Sequence, residues 1–216
     1  KNLYIVADGM GGHKAGEVAS SYSVKLFTEY INSRSDEELK PENILDTMVD
    51  GVSVCNAGLF KKSHEAEKFE GMGTTFTCAV IEKDILYIVH VGDSRAYVLR
   101  NGSLTQLTRD HSFVMEMLKQ GRITLEEAEK HPNRNVITRA VGSEKTVLAD
   151  TVIEKLSKGD MILLCSDGLS NMVSDDKILS ILSGGNNIND ILNTLIETAN
   201  SMGGTDNISA VIIDMR

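Results

Sequence analysis

Four aspartates of this chain stand next to short apolar runs, and each has glycine, serine or asparagine as a neighbour. Asp8, Asp93 and Asp167 follow such runs, whereas Asp206 precedes one. The segments are Leu3-Tyr-Ile-Val-Ala-Asp-Gly-Met-Gly-Gly-His13, Tyr87-Ile-Val-His-Val-Gly-Asp93-Ser-Arg95, Met161-Ile-Leu-Leu-Cys-Ser-Asp167-Gly168 and Gly203-Gly-Thr-Asp206-Asn207. Carboxylate oxygens without a histidine or cysteine ligand set favour hard octahedral cations such as Mg²⁺ or Mn²⁺ over zinc. The pattern therefore indicates a metal site.

Any one of these acids could simply belong to a turn, because Asp-Gly and Asp-Asn are ordinary turn dipeptides. Four acids at the ends of predicted strands are harder to explain in that way. Short apolar runs predict buried strands, and the ends of strands in facing sheets can meet at one cleft. The glycines after Asp8 leave room for a ligand to approach the backbone.

The elements that must position these acids are short strands and amphipathic helices. Helical spacing predicts helices over 17–31 and from Pro41 to residue 62, and later over 113–120 and 189–200. Between them, Asn101-Gly102 predicts a hairpin, and Thr124 with Glu127 forms a capping-box pattern. Ser174 is a plausible N-cap for a helix that carries Ile178, Ile181 and Leu182. Strands this close in sequence pair antiparallel, so we expect an α+β fold, a four-layer αββα sandwich.

Composition limits the partners and the compartment. The net charge of −9 argues against a nucleic-acid partner, which would require a basic patch. No apolar run approaches the roughly 20 residues that cross a bilayer, and no signal-peptide pattern opens the chain. Cys55, Cys78 and Cys165 are odd in number and have apolar neighbours, so they are interpreted as reduced core residues of a cytoplasmic protein.

Six short motifs follow one another along the chain: Val6-Ala-Asp-Gly-Met-Gly-Gly-His13, Gly71-Met-Gly-Thr-Thr75, Val91-Gly-Asp-Ser-Arg-Ala-Tyr97, Leu107-Thr-Arg-Asp-His-Ser112, Ser166-Asp-Gly168 and Thr205-Asp-Asn-Ile208. In this order they resemble the signature of the metal-dependent PP2C-type (PPM) serine/threonine phosphatases in their bacterial form. The resemblance implies the same αββα architecture. It also implies one phosphatase domain over residues 1–216, with a helical flap at about 112–138 beside the cleft.

The resemblance further implies a ligand set and an activity. Asp8 would bridge two Mn²⁺ or Mg²⁺ ions with the Gly9 carbonyl beside it, and Asp167 and Asp206 would complete the shell of one ion. Asp93, paired with Asp167, resembles the pair that holds a third, weaker ion. The implied reaction is hydrolysis of phosphoserine and phosphothreonine in proteins by a metal-activated water. The implied partners are phosphoproteins, including a cognate kinase and its substrates, and we expect a monomer.

His13 is the candidate proton donor to the leaving oxygen, because histidine titrates near neutral pH and this one ends the glycine loop after Asp8. Taken alone, a histidine there is more often a loop residue. His90 and His111 are interpreted as structural, the first in a strand and the second in a polar turn. No cysteine or serine arrangement favours a covalent intermediate.

The resemblance departs at the front of the chain. Family members normally begin with a strand and an Arg-x-x-Asn-(Glu/Asp)-Asp motif that supplies a phosphate-binding arginine and an acidic ligand, and nothing here matches it. We therefore expect a domain that lacks the family's first strand and has weak activity as given. The alternative function is a catalytically impaired binding or regulatory module on the same fold. The intact set of aspartates favours the enzyme.

Overall fold

The computed structural model describes residues 2–11, 13–185 and 187–216, except for the side chain of His13. Within these ranges two four-stranded antiparallel sheets form the centre of the fold. The first sheet has the order β1-β4-β5-β8, and the second has the order β10-β9-β6-β7. A short pair, β2 and β3, lies beside them. The strands are β1 Asn2–Val6, β2 Gly9–Met10, β3 Gly73–Thr74, β4 Phe76–Glu82, β5 Ile85–Val91, β6 Arg95–Arg100, β7 Ser103–Gln106, β8 Asp150–Lys155, β9 Met161–Cys165 and β10 Ala210–Asp214.

The two long helical pairs lie on the outer faces of the two sheets. The described helices are α1 His13–Asn32, α2 Ile44–Ser63, α3 Phe113–Lys119, α4 Leu125–Glu129, α5 Asp167–Ser170, α6 Asp175–Gly184 and α7 Ile188–Ser201, with a 3₁₀ turn at Glu67–Phe69. Helices α1 and α2 pack on the first sheet, and α6 and α7 pack on the second. No helix in the described part of the chain is long and apolar enough to cross a membrane.

Three apolar clusters separate the four layers. Phe27, Met48 and Leu59 belong to the cluster between the first helical layer and its sheet. Ile88 and Leu164 belong to the cluster between the two sheets. Strands β4, β5 and β9 are buried on both faces over most of their length, which is why they consist of nearly continuous apolar runs. The predicted four-layer αββα sandwich is confirmed.

Several local predictions are also confirmed. Asn101 and Gly102 both have positive φ angles at the β6–β7 hairpin, as the Asn-Gly pattern requires. The Thr124–Glu127 capping box is formed in both directions. The Ser174 side chain caps α6 by accepting from the backbone N of Lys177. The three cysteines are buried and free.

Other predictions were wrong in their bounds or omitted an element. Helix α1 begins at His13 rather than at residue 17, and α2 begins at Ile44, so Pro41 lies in a turn before the helix. Strand β8 was missed, because its alternating burial leaves only a weak apolar signal at the sheet edge. Asp167 begins the one-turn helix α5 rather than a loop. The predicted turn over 184–187 includes Asn186, which lies outside the described residues.

Truncation of one buried side chain in the first helical layer should destabilise the fold strongly. Phe27 is fully buried, and its ring centroid lies 5.0 Å from that of Phe76 in the sheet below. Phe27→Ala should lower the free energy of unfolding by about 3–5 kcal/mol, because it leaves a cavity in a packed core. Urea unfolding followed by circular dichroism measures this loss. Leu148→Ala, at a position that is 71% exposed, is the control, and an equal loss in both variants would contradict the packing assignment.

Candidate active site

The loop after β1 is held against β3 and α1 by its backbone. The backbone N of Asp8 donates to Oγ1 of Thr75 at 2.9 Å, and the Asp8 carbonyl accepts from the Thr75 backbone N at 2.8 Å and from Oγ1 of Thr74 at 2.9 Å. A Cβ atom added at Gly9 would lie 1.9 Å from the Gly16 carbonyl oxygen. Only glycine therefore fits where the loop meets α1. These contacts fix the position from which the Asp8 side chain extends.

The Asp93 turn is joined to the Asp8 loop through buried hydroxyl groups. Oγ of Ser94 and Oγ1 of Thr75 lie 2.7 Å apart in a hydrogen bond, and the Thr75 hydroxyl also accepts from the Asp8 backbone. Both hydroxyl-bearing residues are at most 4% exposed. Thr75 therefore connects the acid of the first sheet to the turn that enters the second.

Asp167 and Asp206 are brought together by a second close backbone contact. A Cβ atom at Gly168 would lie 2.2 Å from the Asn207 carbonyl oxygen. Oγ of Ser166 donates to that carbonyl at 3.2 Å and accepts from the Ser209 backbone N at 3.0 Å. The start of α5 and the segment before β10 are thus packed backbone to backbone. Asn171 Nδ2 also donates to Oδ2 of Asp167 at 3.1 Å.

The electrostatics show that the four predicted acids are neighbours. Burial, followed by the charge of Asp167 and a hydrogen bond with it, raises the pKa of Asp8 to about 7, and Asp206 adds to the effect. Burial and then the charge of Asp167 raise the pKa of Asp93 to about 7. Burial and then the charge of Asp206 raise the pKa of Asp167. All four sequence-predicted carboxylates therefore share one electrostatic environment.

Arg95, whose charge acts on Asp167, is already paired with other groups. The Arg95 guanidinium lowers the pKa of Asp167, but its Nε and Nη2 atoms donate to the Asp110 carboxylate at 2.7–3.0 Å. Its Nη1 atom donates to the Tyr97 hydroxyl at 3.1 Å. The four acids are left with a negative charge that these protein contacts do not balance.

The carboxylate oxygens of these four acids are chemically suited to bind divalent cations. Clustered carboxylates with raised pKa values gain most from a hard cation, since its charge favours their ionised form. Across the described residues, no three His, Cys, Asp or Glu side chains are already arranged as a ligand group. The acids are therefore electrostatic neighbours and not a closed cage of ligands. The side chain of His13 lies outside the described residues, and the helix that it begins starts just after the glycine loop.

Sequence reasoning missed the polar residues that hold these acids. Thr75, Ser94 and His111 are buried and hydrogen-bonded around the Asp8 and Asp93 backbones. His111 was interpreted as a structural residue in a polar turn, and it is indeed structural, since it is only 5% exposed; its contact with the Gly92 backbone was not predicted. The available signal was the presence of hydroxyl residues in otherwise apolar, glycine-flanked segments, such as Thr74-Thr75 before β4.

Solved structures with the same architecture define the class of protein. The Mycobacterium tuberculosis serine/threonine phosphatase PstP/Ppp superposes with a TM-score of 0.90 at 39% identity, over 99% of this chain and 88% of that chain. The catalytic domain of PstP in complex with two manganese ions superposes with a TM-score of 0.85 at 37% identity, over 98% and 86% of the two chains. The fold is that of bacterial serine/threonine phosphatases.

The sequence comparisons assign the family. The profile of protein phosphatase 2C matches residues 1–210. The serine/threonine phosphatase Stp of Listeria welshimeri is 39% identical over 212 residues, which are 98% of this chain and 84% of the relative. The protein phosphatase PhpP of Streptococcus pneumoniae is 36% identical over 217 residues, covering 100% and 86%. The chain belongs to the protein phosphatase 2C family, and its activity is that of a protein serine/threonine phosphatase.

The raised pKa values predict how stability depends on pH when metal is removed. A folded-state pKa near 7 for Asp93, against 3.8 for the free group, stabilises the fold below about pH 4, and this contribution is lost as the pH rises through 7. In a chelator at about pH 8, Asp93→Asn should therefore melt higher than the wild type by at least about 2–4 °C, the shift expected from about 1 kcal/mol.

The comparison between variants cancels the titration of the histidines. Thermal unfolding of both proteins at about pH 5 and pH 8 gives the change of each melting temperature with pH. The higher melting temperature of Asp93→Asn relative to the wild type should become a smaller difference at the lower pH. Asp176→Asn, at an exposed position on α6, is the control. A difference between Asp93→Asn and the wild type that does not change with pH would contradict the buried, repelled state of Asp93.

Proposed function

We propose that this phosphatase binds two Mn²⁺ or Mg²⁺ ions at the aspartate cluster and depends on them for hydrolysis of phosphoserine and phosphothreonine. The observation that carries the proposal is the convergence of four carboxylates whose charge Arg95 does not balance. When bound, such ions lower the pKa of a shared water and neutralise phosphoryl charge. The manganese-bound relative of the same fold supports this choice of metal.

Each residue has a distinct proposed part. Asp8 would bridge the two ions with the Gly9 carbonyl beside it, because its carboxylate already shares a hydrogen bond with Asp167 and is affected by the charge of Asp206. Asp167 and Asp206 would hold one of the ions, and Asp93 with Asp167 would hold a third, weaker one. His13 would donate a proton to the departing serine or threonine oxygen, since its position begins α1 just after the glycine loop.

The flap and the partners complete the proposal. Residues 112–138 lie between two anchored ends, because Ser112 pairs with Ile137 and the Thr138 backbone N donates to the His111 carbonyl at 2.8 Å. The segment between them would cover part of the substrate. We treat 1–216 as one phosphatase domain that acts as a cytoplasmic monomer on phosphorylated proteins, including a cognate kinase and its substrates.

Removal of one metal-holding carboxylate should abolish turnover while the fold persists. Asp167→Asn should lower Mn²⁺-dependent hydrolysis of p-nitrophenyl phosphate by at least about 10³-fold, because several kcal/mol of transition-state stabilisation comes from the ions that it holds. Asp176→Asn is the matched control, since it removes an exposed acid elsewhere. Circular dichroism checks the fold. Wild-type turnover in Asp167→Asn at saturating Mn²⁺ would refute the ligand assignment.

A proton donor should matter most when the departing oxygen is basic. His13→Ala should slow phosphoserine peptide hydrolysis by about 10²–10⁴-fold, the usual contribution of general acid catalysis. Its effect on p-nitrophenyl phosphate, whose leaving group needs no proton, should be much smaller. Steady-state kcat on both substrates at the same Mn²⁺ concentration gives the ratio. Equal losses on both would show that His13 has a structural role.

A further inference from the structure

His111 lies at the base of the flap and makes two hydrogen bonds to one glycine. Its backbone N donates to the Gly92 carbonyl at 2.7 Å, and the Gly92 backbone N donates to Nδ1 of His111 at 3.1 Å. Gly92 directly precedes Asp93. Both hydrogen-bonding groups of the Gly92 backbone, the N–H and the carbonyl, are thus bonded to one buried residue. These two bonds restrict rotation of the turn.

The other edge of the imidazole is held by an ion pair. Nε2 of His111 lies 3.2 Å from Oδ2 of Asp150, and Oδ1 of Asp150 accepts from Nη1 of Arg139 at 2.9 Å. The same Nη1 atom lies 3.3 Å from Nε2. Because Nδ1 accepts from a backbone N–H, it carries no proton, and the ring proton lies on Nε2, from which it is donated to Asp150. Asp150 therefore selects the tautomer that can accept from Gly92.

The turn itself has little room to adjust. Gly92 has a φ angle of +107°, and a Cβ atom there would lie 2.6 Å from Cγ2 of Thr75. On the far side, the His111 ring packs on His90, with 4.9 Å between ring centroids. His90 is held in turn by the Thr77 hydroxyl at 2.9 Å and the Arg109 carbonyl at 3.1 Å. The imidazole is thus held at Nδ1 by Gly92, at Nε2 by Asp150 and on one face by the His90 ring.

We propose that His111 is a positioning residue, whose neutral imidazole holds the Gly92–Asp93 turn so that the Asp93 carboxylate faces Asp8 and Asp167. Asp150 and Arg139 act one step further out, by holding the imidazole in the required tautomer and orientation. His111 does not touch the reacting atoms. The inference rests on the proposed function, in which Asp93 helps to hold the weaker metal ion.

Mn²⁺ binding tests this role without relying on turnover. Electron paramagnetic resonance of free Mn²⁺ gives the binding isotherms of the wild type, His111→Ala, Asp93→Asn and the double variant. Loss of such an outer contact typically weakens metal affinity by about 10–100-fold. In His111→Ala we expect that loss for the class of Mn²⁺ sites with the weakest affinity, and unchanged affinity for the tighter class of sites. Adding His111→Ala to Asp93→Asn should cause no further loss.

A conservative variant separates positioning from general stability. In His111→Asn, Oδ1 of asparagine can accept from the Gly92 N–H in place of Nδ1. Mn²⁺ affinity should therefore stay within about threefold of the wild type, well short of the roughly 10–100-fold loss expected when the contact is removed. Thr47→Ala removes another buried polar group, which bonds to the Glu38 and Asn43 carbonyls. It should lower the melting temperature and leave every Mn²⁺ class unchanged.

The outcomes divide as follows. Wild-type affinity in His111→Ala, additive losses in the double variant, or an Asn variant as weak as the Ala variant would each overturn the positioning role. If His111→Ala does not fold, Asp150→Ala takes its place, because it removes the acceptor of the His111 Nε2 proton, and it should also weaken the weakest class. A wild-type protein without Mn²⁺ binding or Mn²⁺-dependent turnover would overturn the proposed function itself, and the role of His111 with it.

Discussion

The repulsion among four neighbouring carboxylates, three of them partly buried, is the constraint on which the rest of the structure depends. Asp8, Asp93 and Asp167 all have raised pKa values because burial and their neighbours disfavour the ionised form. Side chains on a soft scaffold would move apart. Here Asp8 and Asp93 lie just after strands, Asp167 begins α5, and Asp206 lies in the segment before β10. The backbones beside them are hydrogen-bonded to or packed against other elements, so the acids stay close enough to bind cations together.

Two kinds of contact provide that rigidity. Backbone groups approach each other directly where Gly9 meets Gly16 and where Gly168 meets Asn207. Elsewhere, buried hydroxyl and imidazole groups carry hydrogen bonds between loops, as Thr75 does between Asp8 and Ser94. Buried polar groups are costly unless satisfied, so a fully bonded network of this kind holds one arrangement of the acids over others. The αββα layers place these contacts at the ends of strands from both sheets.

The sequence predicted the acids and most helices and strands, but not what holds the acids together. Local signals sufficed for the Asn101-Gly102 hairpin and the Thr124 capping box, because each depends on residues a few positions apart. Strand β8 was missed because its residues are alternately exposed and half-buried at the edge of the sheet, which leaves only a weak apolar signal. The contacts of Thr75 with Ser94 and of His111 with Asp150 join residues far apart in the chain, so a local pattern can mark such polar residues but cannot tell which partners they bind. The role of His13 as a proton donor stays a prediction.

Anomalous scattering tests most directly whether the four aspartates surround bound divalent ions. A crystal of the protein grown with Mn²⁺, measured at the manganese absorption edge, locates those ions by anomalous scattering without reference to activity. We expect peaks within coordination distance of Asp8, with Asp167 and Asp206 on one ion and Asp93 on the weaker one. Peaks only at other carboxylates, or no peak between Asp8 and Asp167 at saturating Mn²⁺, would contradict the account.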